Sequence, residues 1–116
     1  MNFIYVGIGG AIGAILRYSI SLIPFKGDFP LLTLITNAIG AFAIGVVAAF
    51  AAKNSAPPQV ILFIKTGICG GFTTFSTFSL EAYNLFTAHN YALGALYVIL
   101  SVILCLAGVH MGMKIM

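Results

Sequence analysis

Four long apolar runs, separated by short breaks rich in proline, glycine and charge, limit what this chain can become. Each run is near the roughly 20 residues that a helix needs to cross the hydrocarbon core of a bilayer. In lipid every backbone N–H and C=O must find a partner inside the protein, so only helices and closed barrels span. Barrel strands alternate polar and apolar residues with a period of two, and these runs do not. The expected fold is therefore an all-α membrane protein with four transmembrane helices.

Composition excludes the main alternative. Of 116 residues, 61% are apolar and 6% are charged. A soluble domain carries about 25% charged residues and uses them to face water. Four spans consume about 80 residues, which leaves connections and ends but no second domain, so residues 1–116 form one unit. No Lys or Arg precedes the first apolar run. The cationic start of a signal peptide is missing, and the first helix is expected to stay in the mature protein. A net charge of +3, with no basic run, gives no reason to expect a nucleic-acid partner.

The breaks set the boundaries. The first helix is expected from about Phe3 to Ile23, ending at Pro24, Lys26, Gly27, Asp28 and Pro30. The second is expected from about Leu31 to Ala52, before Lys53, Asn54, Ser55, Pro57 and Pro58. The third starts near Gln59 and reaches Glu81 or a few residues beyond, with a loop over Thr87, Ala88, His89 and Asn90. The fourth runs from about Tyr91 to Met113, with Lys114 at the headgroups. Gly9 and Gly13 form a G-x-x-x-G pair, which allows another helix to approach closely. Ala38, Gly40, Ala41, Ala43 and Gly45 repeat the device in the second helix. Packing within one subunit accounts for most of these small residues.

The third helix carries the most unusual stretch, Gly67-Ile68-Cys69-Gly70-Gly71-Phe72-Thr73-Thr74-Phe75-Ser76-Thr77-Phe78-Ser79-Leu80-Glu81. Glycine costs about 1 kcal/mol against alanine in a helix interior, and threonine is a middling helix former. Two readings fit: a helix broken near mid-membrane, or one weakened only for close packing. A break frees backbone carbonyls, tolerated at depth only where protein or a wet cavity receives them, and such carbonyls can hold a cation.

Thr33, Thr36 and Asn37 share one face of the second helix by their spacing. The Asn37 amide either joins helices or donates to a passing anion. Phe75 and Phe78 also share a face, and a ring edge carries positive partial charge. Hydroxyls, an amide and ring edges present positive partial charge without a full cation. That suits an anion which must bind weakly enough to leave. Arg17 is expected to reach headgroups by snorkelling. Lys65 is read in the same way, and Glu81 as closing the Phe-rich run near the opposite surface. An acidic residue near membrane depth is a functional candidate as well as a helix-end residue. Cys69 and Cys105 read as small core residues, and His89 and His110 as solvated or headgroup-facing. None has metal-ligand spacing, so no catalytic residue or cofactor chemistry is expected.

These residues resemble the Fluc/CrcB fluoride channel family over essentially the whole chain. The likeness rests on G-G-x-x-G-A-x-x-R-Y from Gly9 to Tyr18 and on the Asn37 helix with its preceding threonines. Above all it rests on G-G-F-T-T-F-S-T-F-S from Gly70 to Ser79. The resemblance implies a fluoride-selective channel in the inner (cytoplasmic) membrane, not an enzyme, that passively exports fluoride and protects the cell. It implies an antiparallel, dual-topology homodimer; the sequence by itself also leaves a pairing with a paralogue open. It further implies one structural Na+ per dimer, held by the main-chain carbonyls of Gly70 and Thr73. Asn37, Phe75 and Phe78 map onto the fluoride pathway, with Ser76, Thr77, Tyr97, Ser101 and Glu81 as further polar candidates.

A small proton-coupled multidrug exporter is the rival of similar size. It needs a carboxylate deep in the first helix, and this chain has no acidic residue before Asp28. A packing-only assembly factor would not need Asn37 and the hydroxyl run. Charge bias agrees with dual topology. Lys53, Lys65 and Lys114 fall on one side, Arg17 and Lys26 on the other, too small a difference to fix one orientation.

Overall fold

The computed structural model describes residues 2–115 and is helical throughout, with four helices long and apolar enough to cross a membrane. Helix α1 spans Asn2–Ser21 and α2 spans Leu31–Asn54. The third crossing, Pro58–Thr87, is two helices in line: α3 over 58–72 and α4 over Phe75–Thr87. Helix α5 spans Tyr91–Lys114. The expected boundaries hold to within two or three residues, and the third crossing, expected to reach Glu81 or a few residues beyond, ends at Thr87. The long dimension of the chain is 48 Å, enough to cross a bilayer of about 40–45 Å including its headgroups.

The stops have local causes. Helix α2 ends on Ser55, in the left-handed conformation at φ 47° and ψ 48°. Pro57 and Pro58 follow at once, and proline there cannot prolong the helix. His89, at φ 63°, turns the chain between α4 and α5.

Small residues set the packing. Helix α1 lies along α3, and α2 along α5. At Gly9 a Cβ would stand 2.9 Å from the Cα of Gly67, and at Gly13 it would stand 2.7 Å from the N of Phe72. The G-x-x-x-G pair thus joins α1 to α3 within one chain, as its spacing predicts. On the other side Gly45 meets Val109, and Gly112 meets the backbone of α2. Within α3, residues Leu62–Cys69 widen into a π-helix. Such segments are rare and recur at functional sites.

The buried core is small. Leu34, Ala82 and Leu85 surround Tyr97, which is 0% exposed, with Phe29 and Phe78 packed against them. Many large apolar side chains face outward, among them Phe3, Ile15, Leu106 and Phe75. A water-soluble monomer rarely leaves so much apolar surface open.

Candidate functional site

The third crossing breaks between α3 and α4, and the break divides it into near-equal halves. Of the two readings left open by the glycines, the broken helix is the observed one. Thr73 (φ −89°, ψ 154°) and Thr74 (φ −149°, ψ 124°) are extended. The break therefore falls after the glycines, at the two threonines.

Side chains satisfy several of the backbone groups that the break releases. The Thr74 N–H donates to Asn37 Oδ1 at 2.9 Å, and Asn37 Nδ2 donates to the Thr74 carbonyl at 3.0 Å. Thr74 also caps α4, its hydroxyl accepting from the Thr77 N–H at 3.2 Å in the usual N-cap manner. The Cys69 carbonyl accepts from both the N–H and the hydroxyl of Thr73, at 3.1 and 2.9 Å. Arg17 Nε donates to the Gly71 carbonyl at 3.1 Å. Arg17 was expected at the headgroups. It turns into the protein instead, because a guanidinium at a helix C-terminus meets both unpaired carbonyls and the negative end of the dipole.

The carbonyls of Gly70 and Thr73 are among those that lose their helical donors by this arrangement. A helical carbonyl at i accepts from the N–H at i+4. For Gly70 that donor is the Thr74 N–H, which is given to Asn37. For Thr73 it is the Thr77 N–H, which is given to Thr74 Oγ1. Gly70 is also exposed on the open surface of the chain.

Grooves flank the break. The larger, of about 470 Å³, is lined by Asn37, Thr73, Phe75, Phe78, Ser101 and Cys105 among others, and no Lys or Arg is among its lining residues. Phe75 is 79% exposed and its ring lies 5.5 Å from that of Phe78. Phe78 in turn packs 5.1 Å from Tyr97. Ser101 is 7% exposed, and its Oγ has no hydrogen-bond partner among the described residues. The smaller groove, of about 110 Å³, brings Arg17, Thr33, Thr36, Thr74 and Thr77 together.

Of the two sequence readings of Glu81, a functional candidate near membrane depth or a helix-end residue, the second does not hold. Glu81 is not a helix-end residue, since α4 runs on to Thr87. It is half-buried, and its carboxylate accepts from Thr33 Oγ1 at 3.1 Å and from Tyr97 OH at 3.0 Å. Glu81 and Thr33 also line a mouth of about 370 Å³ that contains Asp28.

The structure therefore brings Asn37, Phe75, Phe78 and Ser101 to one groove, with Tyr97 and Glu81 linked behind Phe78. Thr77 belongs to the smaller groove, and exposed Ser76 lines neither. Sequence reasoning did not find Thr74 as cap or Thr33 as the partner of Glu81. The Thr74–Thr77 spacing was an available sign of the cap; the Thr33–Glu81 bond has no local sign.

Comparison with known proteins completes the picture. A protein 46% identical over 116 residues, from Roseiflexus sp. (strain RS-1), is named fluoride-specific ion channel FluC; 97% of this chain and 94% of that protein are covered. One from Azobacteroides pseudotrichonymphae genomovar. CFP2 with the same name is 42% identical over 111 residues, covering 92% of this chain and 89% of the relative. A third, fluoride-specific ion channel FluC 1 of Staphylococcus aureus (strain NCTC 8325 / PS 47), is 41% identical over 117 residues and covers 97% of each chain. The profile of the family described as CrcB-like protein, Camphor Resistance (CrcB), matches residues 4–113. With its membrane-capable helices, its broken third crossing and these relatives, the chain belongs to the CrcB-like family.

Proposed function

We propose that the protein is a passive, fluoride-selective channel of the cytoplasmic membrane. The observation that carries this reading is the groove of about 470 Å³ in which Asn37, Phe75, Phe78 and Ser101 meet without a Lys or Arg. The relatives named fluoride-specific ion channels support the identity of the ion.

Fluoride sheds water on entering the groove and takes donors in exchange. Asn37 commits one N–H and its oxygen to Thr74, and a primary amide has a second N–H to offer. The Ser101 hydroxyl is buried and has no partner among the described residues. The edges of Phe75 and Phe78 supply further positive partial charge. Glu81 takes no part as a ligand of the anion. It holds the hydroxyls of Tyr97 and Thr33, which fixes the floor under Phe78. Ser76 and Thr77, between the two rings on α4, do not line this groove and stand as looser polar candidates. No bond is made or broken in transport.

The working form is an antiparallel homodimer. Phe75 lies too exposed in one chain to close a pathway, and a second copy related by a two-fold axis in the membrane plane covers it. The same axis brings both helix breaks together. The carbonyls of Gly70 and Thr73, deprived of helical donors, have the chemistry of a hard-cation site, because hard cations take oxygen ligands. They fit one shared Na+, which supplies positive charge against these carbonyl dipoles.

Purified protein in potassium-loaded liposomes, with an ionophore carrying potassium, should release fluoride far faster than chloride and without a proton gradient. Equal rates for the two anions would refute the assignment. A reporter cysteine at the C-terminus, in a background lacking Cys69 and Cys105, should label about half from outside intact cells if both orientations insert equally. Uniform labelling alongside retained efflux would exclude the antiparallel homodimer.

A further inference from the structure

Two glycines, Gly70 and Gly71, stand just before the break. Without a Cβ to narrow φ and ψ, local sequence does little to fix where their carbonyls point. Gly71 cannot be exchanged for a stiffer residue, since a Cβ there would stand 2.5 Å from the Gly10 carbonyl oxygen on α1. Its helical donor is also gone: the N–H at i+4 belongs to Phe75, which now begins α4. Gly70 is exposed, and a Cβ built on it meets only the Lys65 oxygen, at 3.9 Å. Nothing within the chain therefore holds Gly70 by contact.

Side chains of two other helices supply the missing constraint. Asn37 on α2 pins the far end of the break at Thr74. Arg17 on α1 pins the near end, its Nε donating to the Gly71 carbonyl at 3.1 Å. The helix that carries Arg17 is itself seated on α3, because Gly13, one turn earlier, lies against the backbone of Gly71 and Phe72. A guanidinium is planar, with its donors in a fixed fork, so one bond sets direction as well as distance.

We propose that Arg17 is a positioning residue for the cation at the break. Gripping the Gly71 carbonyl from α1 holds the adjacent Gly70 carbonyl, and with Asn37 the Thr73 carbonyl, in the directions a shared Na+ requires. The proposal rests on the reading of Gly70 and Thr73 as ligands of that ion. Ligand groups need supporting partners that hold them to within about 0.5 Å, and here the support comes from outside the glycine segment. Electrostatics alone gives Arg17 the opposite role, since a positive charge beside the site repels a cation. The sign of the effect on sodium binding therefore separates the two.

The probe is sodium chloride on the full chain in detergent, exchanged against N-methylglucamine chloride at constant chloride, with thermal unfolding as the readout. An ion that binds only the folded state raises the unfolding temperature with its concentration, and the wild type is expected to do so. Arg17→Met keeps an unbranched stem without the donor, and the half-saturating sodium concentration should rise about tenfold or more, the weight of one hydrogen bond to a charged group. Arg17→Lys restores a charged donor and should bring the value most of the way back. Arg17→Gln, shorter and uncharged, covers the case of a Met variant that does not fold, and its value should also lie above that of the wild type. A second readout needs no sodium. Carbonyl-labelled glycine with nitrogen-labelled phenylalanine singles out the Gly71–Phe72 peptide, the one Gly-Phe pair in the sequence. In lipid its carbonyl resonance should be single in the wild type and in Arg17→Lys, and shifted and broadened in Arg17→Met. An unchanged or lower half-saturating sodium concentration in the Met or Gln variant, or the same Gly71 resonance in all these proteins, overturns the proposal. Sodium that fails to stabilise the wild type defeats the cation reading, and with it the proposed role toward the ion, while the Gly71 resonance still decides whether Arg17 holds the break.

Discussion

Asn37 and Thr74, 37 residues apart, are bonded in both directions: the Thr74 N–H reaches Asn37 Oδ1 at 2.9 Å while Asn37 Nδ2 reaches the Thr74 carbonyl at 3.0 Å. The side-chain amide thus takes the place of a peptide neighbour at the point where the third crossing stops being helical. Asn37→Ala leaves the Thr74 N–H without its partner, while the Thr74 carbonyl as N-cap keeps its bond from the helix; a buried group orphaned in this way costs about 1–3 kcal/mol. Unfolding in detergent should show a loss of that order, together with a fall in fluoride efflux. Asn37→Asp keeps an acceptor for the Thr74 N–H but sets a carboxylate oxygen against the Thr74 carbonyl. Its efflux should also drop. Wild-type stability in Asn37→Ala would mean that the pair does not hold the break.

Glycine substitutions should separate close packing from helix propensity. Gly13→Ala forces a Cβ to within 2.7 Å of the Phe72 N, so α1 and α3 must part, at a cost of about 1–3 kcal/mol for overpacking. Gly7 has nothing within 4 Å of its built Cβ. Gly7→Ala should stabilise the chain by up to about 1 kcal/mol through propensity alone. Thermal unfolding of the two variants should move in opposite directions.

The two pathway rings should fail differently. Phe75 is 79% exposed in the single chain, so Phe75→Ile should cut conduction while barely altering the stability of the fold. Phe78 packs on Tyr97 at 5.1 Å, and Phe78→Ile also forfeits an aromatic pair worth about 0.5–1.5 kcal/mol. Normal fluoride rates in both variants would remove the ring edges from the mechanism.

Tyr97 and Glu81 should behave as one unit. Tyr97→Phe deletes the donor to Glu81 Oε1 while keeping the ring that Phe78 and Phe29 pack against. A hydrogen bond to a charged group is worth about 1.5–3 kcal/mol. Combining Tyr97→Phe with Glu81→Gln should cost less than the sum of the single changes, since contacting residues couple by about 0.5–3 kcal/mol. Strict additivity in a double-mutant cycle would show that the carboxylate does not depend on this hydroxyl.

The helices were legible in the sequence because solvent alone decides them: long apolar runs in lipid have no other solution. Their ends were legible wherever proline or a charge marked them. The third crossing was readable only as a choice. The run of glycines and hydroxyls from Gly67 to Ser79 suggested a break without fixing its place; the chain parts at Thr73 and Thr74, where the Thr74 cap on the Thr77 N–H and a partner at Asn37 stabilise extended backbone. The headgroup reading of Arg17 and the helix-end reading of Glu81 failed for one reason. Hydropathy puts a charge at the nearest membrane surface, whereas their partners lie far along the chain, Gly71 at 54 residues and Thr33 at 48. Such long-range polar pairs leave no local pattern. Asn37, Phe75, Phe78 and Ser101 share a groove because α2, α4 and α5 meet beside the break, a convergence that no single helix encodes.

The central claim is that fluoride moves passively through this protein, uncoupled from protons. The reversal potential across a bilayer containing only the purified protein tests it most directly, with a fluoride gradient, symmetric chloride and a variable pH difference. A passive fluoride channel gives the full Nernst potential for fluoride, unmoved when the pH difference is imposed. A reversal potential that follows pH, or one that stays at zero despite the fluoride gradient while current flows, would contradict the account.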